Sequence, residues 1–104
     1  MSSNSSITET QQTVSQWAEQ TFGSVGSNAS VAARVNKEMA ELIMELARDD
    51  NSPKMGDEIA DVVICLMRLA DRNGIDMLEE VDRKMKINRS REWVLDGHGH
   101  GQHK

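Results

Sequence analysis

Apolar side chains between residues 10 and 92 recur every three or four positions, and that spacing leaves few folds open to the chain. Val14, Trp17, Ala18 and Phe22 mark a first helix from about Thr10 to Phe22, ended by Gly23 to Gly26. Val31, Val35, Met39, Leu42 and Leu46 form one unbroken stripe, so a second helix is predicted from a cap at Asn28 or Ser30 to about Arg48. Asp49 to Pro53 reads as a polar connection ending in a cap with proline at the first helical position, which predicts a third helix from there to Asn73 and Gly74. So short a connector lays helices two and three side by side and antiparallel. Asp76 and Glu79 have the spacing of a capping box opening a fourth helix, whose Leu78, Val81 and Met85 are expected to face inward as far as about Glu92. Nothing of strand period is evident. The expectation is an all-α, four-helix, bundle-like protomer over residues 9–96, with a frayed Ser-rich arm over 1–8 and a flexible Gly/His-rich tail over 97–104.

Composition narrows the function. The 104 residues suffice for one modest core. Lys and Arg number 12 against 17 Asp and Glu, a net charge of −5, so a nucleic-acid backbone would be repelled and no nucleic-acid partner is expected. The longest uncharged apolar run, Val62 to Met67, falls far short of the roughly 18 residues of a membrane span, so no membrane partner is expected either. The first residues lack the charged-then-apolar order of a secretion signal, and a cytoplasmic location is expected. Cys65, the one cysteine, reads as a small core residue.

Eight of the seventeen carboxylates lie between Glu38 and Asp61. A charged run on a helix is ordinarily a solvated face, so the angular positions matter more than the density. At about 100° per residue, with Glu38 as zero, Leu42 falls near 40° and Val35 near 60°, while Glu41 is near 300°. With Glu58 as zero, Leu69 falls near 20°, Val62 near 40° and Asp61 near 300°. Each helix therefore sets one Glu at the edge of its apolar stripe and a second acid about 60° away. Antiparallel pairing carries Glu38, Glu41, Glu58 and Asp61 into one seam; Glu45 joins them if its helix ends late. Like charges gathered in a partly desolvated seam are unfavourable unless they protonate or a cation neutralises them. All-oxygen donors without histidine suit Mg²⁺ or Mn²⁺, not zinc. Five cations between Arg83 and Arg91 either complement the end of a helix or, beside such a seam, clamp a polyphosphate; Trp17 and Trp93 are either core residues or surfaces on which a base stacks. No Gly-x-x-x-x-Gly-Lys-Ser/Thr loop is present.

Glu38-Met-Ala-Glu41, sixteen residues, then Glu58-Ile-Ala-Asp61 resembles the Glu-x-x-Glu and Glu-x-x-Asp signature of MazG-like all-α nucleoside triphosphate pyrophosphohydrolases. The flanking Lys37-Glu38-Met39-Ala40-Glu41-Leu42, Gly56-Asp57-Glu58-Ile59-Ala60-Asp61-Val62, Ala70-Asp71-Arg72-Asn73-Gly74-Ile75-Asp76 and Lys84-Met85-Lys86-Ile87-Asn88-Arg89-Ser90-Arg91-Glu92-Trp93 resemble it too. The resemblance implies hydrolysis of a nucleoside triphosphate to monophosphate and pyrophosphate, in the clearing of nucleotide pools. It implies Mg²⁺, or Mn²⁺, on Glu38, Glu41, Glu58 and Asp61, with Glu38 or Glu41 orienting the attacking water. Lys84, Lys86, Asn88 and Arg91 are then candidates for phosphate or sugar contacts, and Trp17 for the base. It also implies a homodimer or a dimer of dimers, which agrees with a third helix apolar around most of its circumference. Two rival readings remain: a non-catalytic acidic helical module that docks a basic partner, and metal storage by His98, His100 and His103.

Overall fold

The computed structural model describes residues 6–104. Of the predicted N-terminal arm, residues 1–5 lie outside the described residues, and 6–10 precede the first helix without regular structure. Four helices follow: α1 (Gln11–Phe22), α2 (Asn28–Arg48), α3 (Met55–Asp71) and α4 (Met77–Ser90), then two short strands, β1 (Trp93–Leu95) and β2 (Gly101–His103).

Local chemistry sets the boundaries. The Thr10 side chain accepts the Thr13 backbone N–H, and the Thr13 hydroxyl in turn accepts the Thr10 N–H, so α1 opens on a reciprocal cap. At its other end Gly23 adopts φ 82°, a backbone state other residues seldom reach. The cap of α2 is Ser27, whose hydroxyl accepts the Ser30 N–H; neither Asn28 nor Ser30, the expected caps, fills that place. Asp76 caps α4 by accepting the Glu79 N–H.

The third helix departs from expectation. Pro53 lies in a turn and α3 starts at Met55, because the Ser52 hydroxyl accepts the Lys54 N–H and holds the chain in that turn for two more residues. That same hydroxyl donates to Glu45 at 2.6 Å, so the connection ties the end of α2 to the start of α3.

α3 is the middle layer, packed against α1 on one side and α2 on the other. Ala18, Val31, Leu42 and Ala70 are buried there, and Arg68 of α3 reaches α1, donating to Glu19 at 3.2 Å and to the Gly23 carbonyl at 2.6 Å. α4 behaves otherwise. None of its residues is buried, and the stripe expected to face inward is exposed: Leu78 at 81 %, Val81 at 54 % and Met85 at 38 %. The stripe has helical period, but α4 meets the other helices mainly at its start, where the Met77 N–H donates to Gln11 of α1, and Leu78 and Val81 stay exposed among the described residues.

The end of the chain also differs from the expected unstructured tail. β1 and β2 pair antiparallel, Trp93 opposite His103 and Leu95 opposite Gly101. Asp96 makes the turn by accepting the N–H groups of His98 and His100, with Gly97 and Gly99 at positive φ. α4 accordingly ends at Ser90 rather than Glu92.

Candidate metal and nucleotide site

Glu38 stands on the inner edge of α2 and is buried, 7 % exposed. Burying a carboxylate is costly without a partner, and Arg34, one turn earlier, supplies one at 2.9 Å from Nε to Oε1. Glu45, two turns further on, is half-buried beside Ser52 and Arg48, both of which donate to it. Those hydrogen bonds hold its pKa below the ordinary carboxyl value of 4.5.

Across the seam on α3, Glu58 has no such provision. Its Oε2 is buried with no hydrogen-bond partner among the described residues. Desolvation, and after it the charges of Asp61, Glu41, Glu45 and Glu38 in that order, push its pKa above 4.5. Five acids from two helices thus share one electrostatic environment, and among the described residues Glu58 and the exposed Glu41 and Asp61 have no side-chain partner. Side-chain rotamers as they stand do not converge further: among the described residues no three His, Cys, Asp or Glu side chains are arranged to hold a single ion. The late end of α2 at Arg48 brings in Glu45, which the sequence left undecided.

Beside Glu38, where α1 crosses the starts of α2 and the end of α3, lies a cavity of about 550 Å³. Trp17 and Phe22 form one wall, their rings edge to face with centroids 5.3 Å apart, and Val31 and Ile64 line the interior. Trp17 remains 53 % exposed, so the ring is a wall and not core filling. Arg34, Lys37 and Arg68 give the cavity a cationic rim, three residues that sequence spacing did not single out. The signal for Arg34 was available, since a residue four positions before Glu38 shares its helix face. Cys65 also lines the cavity; burial, and next the Glu38 charge, push its thiol upward, the state of an unreactive side chain.

Lys84, Lys86, Asn88 and Arg91 all lie on or just after α4, and none lines this cavity. Lys86 pairs with Asp82 at 3.2 Å. Trp93 is 41 % exposed, and its indole N–H is taken by the Asn88 carbonyl at 3.0 Å. His98, His100 and His103 belong to the terminal hairpin, where His103 meets the edge of Trp93.

The chain is similar to known proteins in both sequence and structure. A phage enzyme, dATP/dGTP diphosphohydrolase of Salmonella phage PMBT28, is 35 % identical over 101 residues, 97 % of this chain. This chain spans about a third of that relative's length, 32 %. A solved structure, the cyanophage S-2L MazG-like pyrophosphohydrolase bound to dGDP and three catalytic Mn²⁺ ions per active site, superposes with a TM-score of 0.73 at 26 % identity. That match covers 90 % of this chain and 88 % of the other. No helix among the described residues is long and apolar enough to cross a membrane. The MazG-like family profile matches residues 32–103, taking in both acid pairs, α4 and the hairpin. With that match and the shared four-helix fold, the chain belongs to the MazG-like family.

Proposed function

We propose that the chain is a divalent-metal-dependent nucleotide pyrophosphohydrolase acting on purine deoxynucleoside triphosphates, releasing the monophosphate and pyrophosphate. The observation that carries this reading is Glu58: a buried carboxylate oxygen without a partner among the described residues, in the field of four further acids, suits a seam that a cation completes. Glu38, Glu41, Glu58 and Asp61 are the residues that would hold Mg²⁺ or Mn²⁺. The ion, when bound, supplies neutralisation of charge on the phosphate oxygens and the departing pyrophosphate. Glu38 or Glu41 would accept a hydrogen bond from the attacking water and fix its line to the α-phosphorus.

Trp17 and Phe22 offer the base a flat apolar wall beside Glu38, and the purine named for both relatives fits a cavity of this size. Stacking on an exposed ring contributes mainly to ground-state binding. Trp17→Ala is therefore expected to raise KM for dGTP about tenfold while kcat stays within about twofold.

A second copy of the chain completes the assembly in this reading. The exposed surface is 8218 Å², whereas a compact protein of this mass exposes about 5,800 Å², and an excess of roughly 2,400 Å² per chain, about 4,800 Å² for a pair of copies, falls in the range of large obligate interfaces. The radius of gyration agrees, 16.4 Å against about 13 Å for a compact chain of this length. Leu78, Val81 and Met85 on α4, with Met39, Ile43 and Ile59 on the central helices, are the apolar side chains that the second copy covers. Such docking brings Lys84, Lys86, Asn88 and Arg91 of one copy toward the nucleotide held by the other. This is why they lie outside the cavity of their own chain.

The test is product identity. Incubated with dGTP or dATP and Mg²⁺ or Mn²⁺, the protein is expected to release pyrophosphate, to stop when EDTA is added and to resume with excess metal. Orthophosphate as the first product would reject cleavage between the α- and β-phosphates.

A further inference from the structure

Arg34 holds two positions at once. Its Nε is bonded to Glu38 at 2.9 Å, yet its side chain is 60 % exposed and lines the aromatic cavity. Its terminal nitrogens make no hydrogen bond among the described residues. The other guanidinium on the rim, Arg68, is committed to Glu19 and Gly23, and Lys37 lacks the planar fork that matches two phosphate oxygens.

We propose that Arg34 is an exchangeable counter-ion: it neutralises Glu38 while the seam is metal-free, and on metal binding it leaves that carboxylate for the substrate's phosphates. The inference rests on the activity proposed above and adds a residue to it. Glu38 is buried and needs a cation in every state. Once a divalent ion serves that need, the guanidinium beside it is surplus there and meets the polyphosphate arriving in the same cavity. The guanidinium end of the pair is 60 % exposed and so screened by solvent, and the incoming ion takes over the neutralisation of the buried carboxylate, so the exchange leaves no charge unpaired. The acids exchange a monovalent partner for a divalent one, a gain of one positive charge in the seam, and the freed guanidinium offsets part of the phosphate charge.

Two consequences of opposite sign follow for Arg34→Met, which keeps the length and helix preference of the side chain and removes its charge. Mn²⁺ alone, titrated by the electron paramagnetic resonance signal of the free ion, is expected to bind about three- to tenfold more tightly, because it no longer competes with Arg34. α,β-Methylene-dGTP in the presence of saturating Mn²⁺ is expected to bind at least about tenfold more weakly, because a charge-assisted contact is lost. Arg34→Lys, which keeps the charge, is expected to restore the wild-type Mn²⁺ affinity and only part of the nucleotide affinity. In wild-type protein the Arg34 Nε–H resonance is expected to shift on saturation with Mg²⁺ alone, as its bond to Glu38 opens. Weakening of both ligands, no change in either, or an Nε–H resonance indifferent to Mg²⁺ would overturn the exchange. Wild-type protein that neither binds Mn²⁺ nor releases pyrophosphate overturns the proposed activity as well, a failure distinguished by its appearing before any substitution is made.

Discussion

Glu58→Gln is expected to lower pyrophosphate release by about 10²–10³-fold, the rate equivalent of several kcal/mol of charge stabilisation, and at the same time to raise the melting temperature of the metal-free protein. The two effects share one cause. Glu58 is the acid in the seam whose buried oxygen the chain leaves without a partner, so its charge is unfavourable to the fold until a cation arrives. Its pKa in the folded protein lies above the ordinary 4.5, so the folded state holds the proton more tightly than the unfolded chain does. The associated stability is fully present below 4.5 and is lost as pH rises through the raised folded value. Without metal, the melting temperatures of wild type and Glu58→Gln should therefore lie closest near pH 4.5 and separate toward pH 8, with the variant the more stable. Saturating Mn²⁺ should reverse the order, because only the wild type gains from binding. A variant that melts lower than wild type at pH 8 without metal would mean that the carboxylate is a structural group.

The second large effect concerns α4. Substituting Leu78 and Val81 by Glu places two charges on a face that is exposed in the single chain, so the stability of one protomer should change little. If that face is buried between copies, each charge must be desolvated, and the dissociation constant of the assembly should rise by at least about 10²-fold. Sedimentation should show the mass falling to that of one chain, 11.6 kDa, at concentrations where the wild type remains assembled. Hydrolysis should fall with it, since Lys84, Lys86, Asn88 and Arg91 then reach no nucleotide. A variant that is monomeric and fully active would place those four residues outside the reaction.

The acid seam was legible in the sequence because angle on a helix follows from counting. Glu38 and Glu58 fall at the edges of apolar stripes, and the structure puts both at the α2–α3 contact, Glu38 buried and Glu58 half-buried. What counting misses is contact made by something other than a helix face. The Ser52 hydroxyl delays α3 past Pro53 and fastens the connection to Glu45, an interaction that depends on the path of a loop. The terminal hairpin has strands of three residues, too short for a period of two to register, and its geometry lies in Asp96 and two glycines. The stripe on α4 is apolar at helical spacing, as counting shows, but its own chain leaves it exposed. Periodicity reports that a face seeks cover and is silent on which molecule supplies it.

The proposed hydrolysis depends on the seam between α2 and α3 holding divalent ions. Anomalous scattering from a crystal soaked in Mn²⁺ tests this most directly. At least one manganese peak is expected between the two helices, within about 2.0–2.4 Å of carboxylate oxygens drawn from Glu38, Glu41, Glu58 and Asp61, with Glu58 among them. A fully soaked crystal with no peak in the seam, or with manganese only at the terminal histidines, would contradict it.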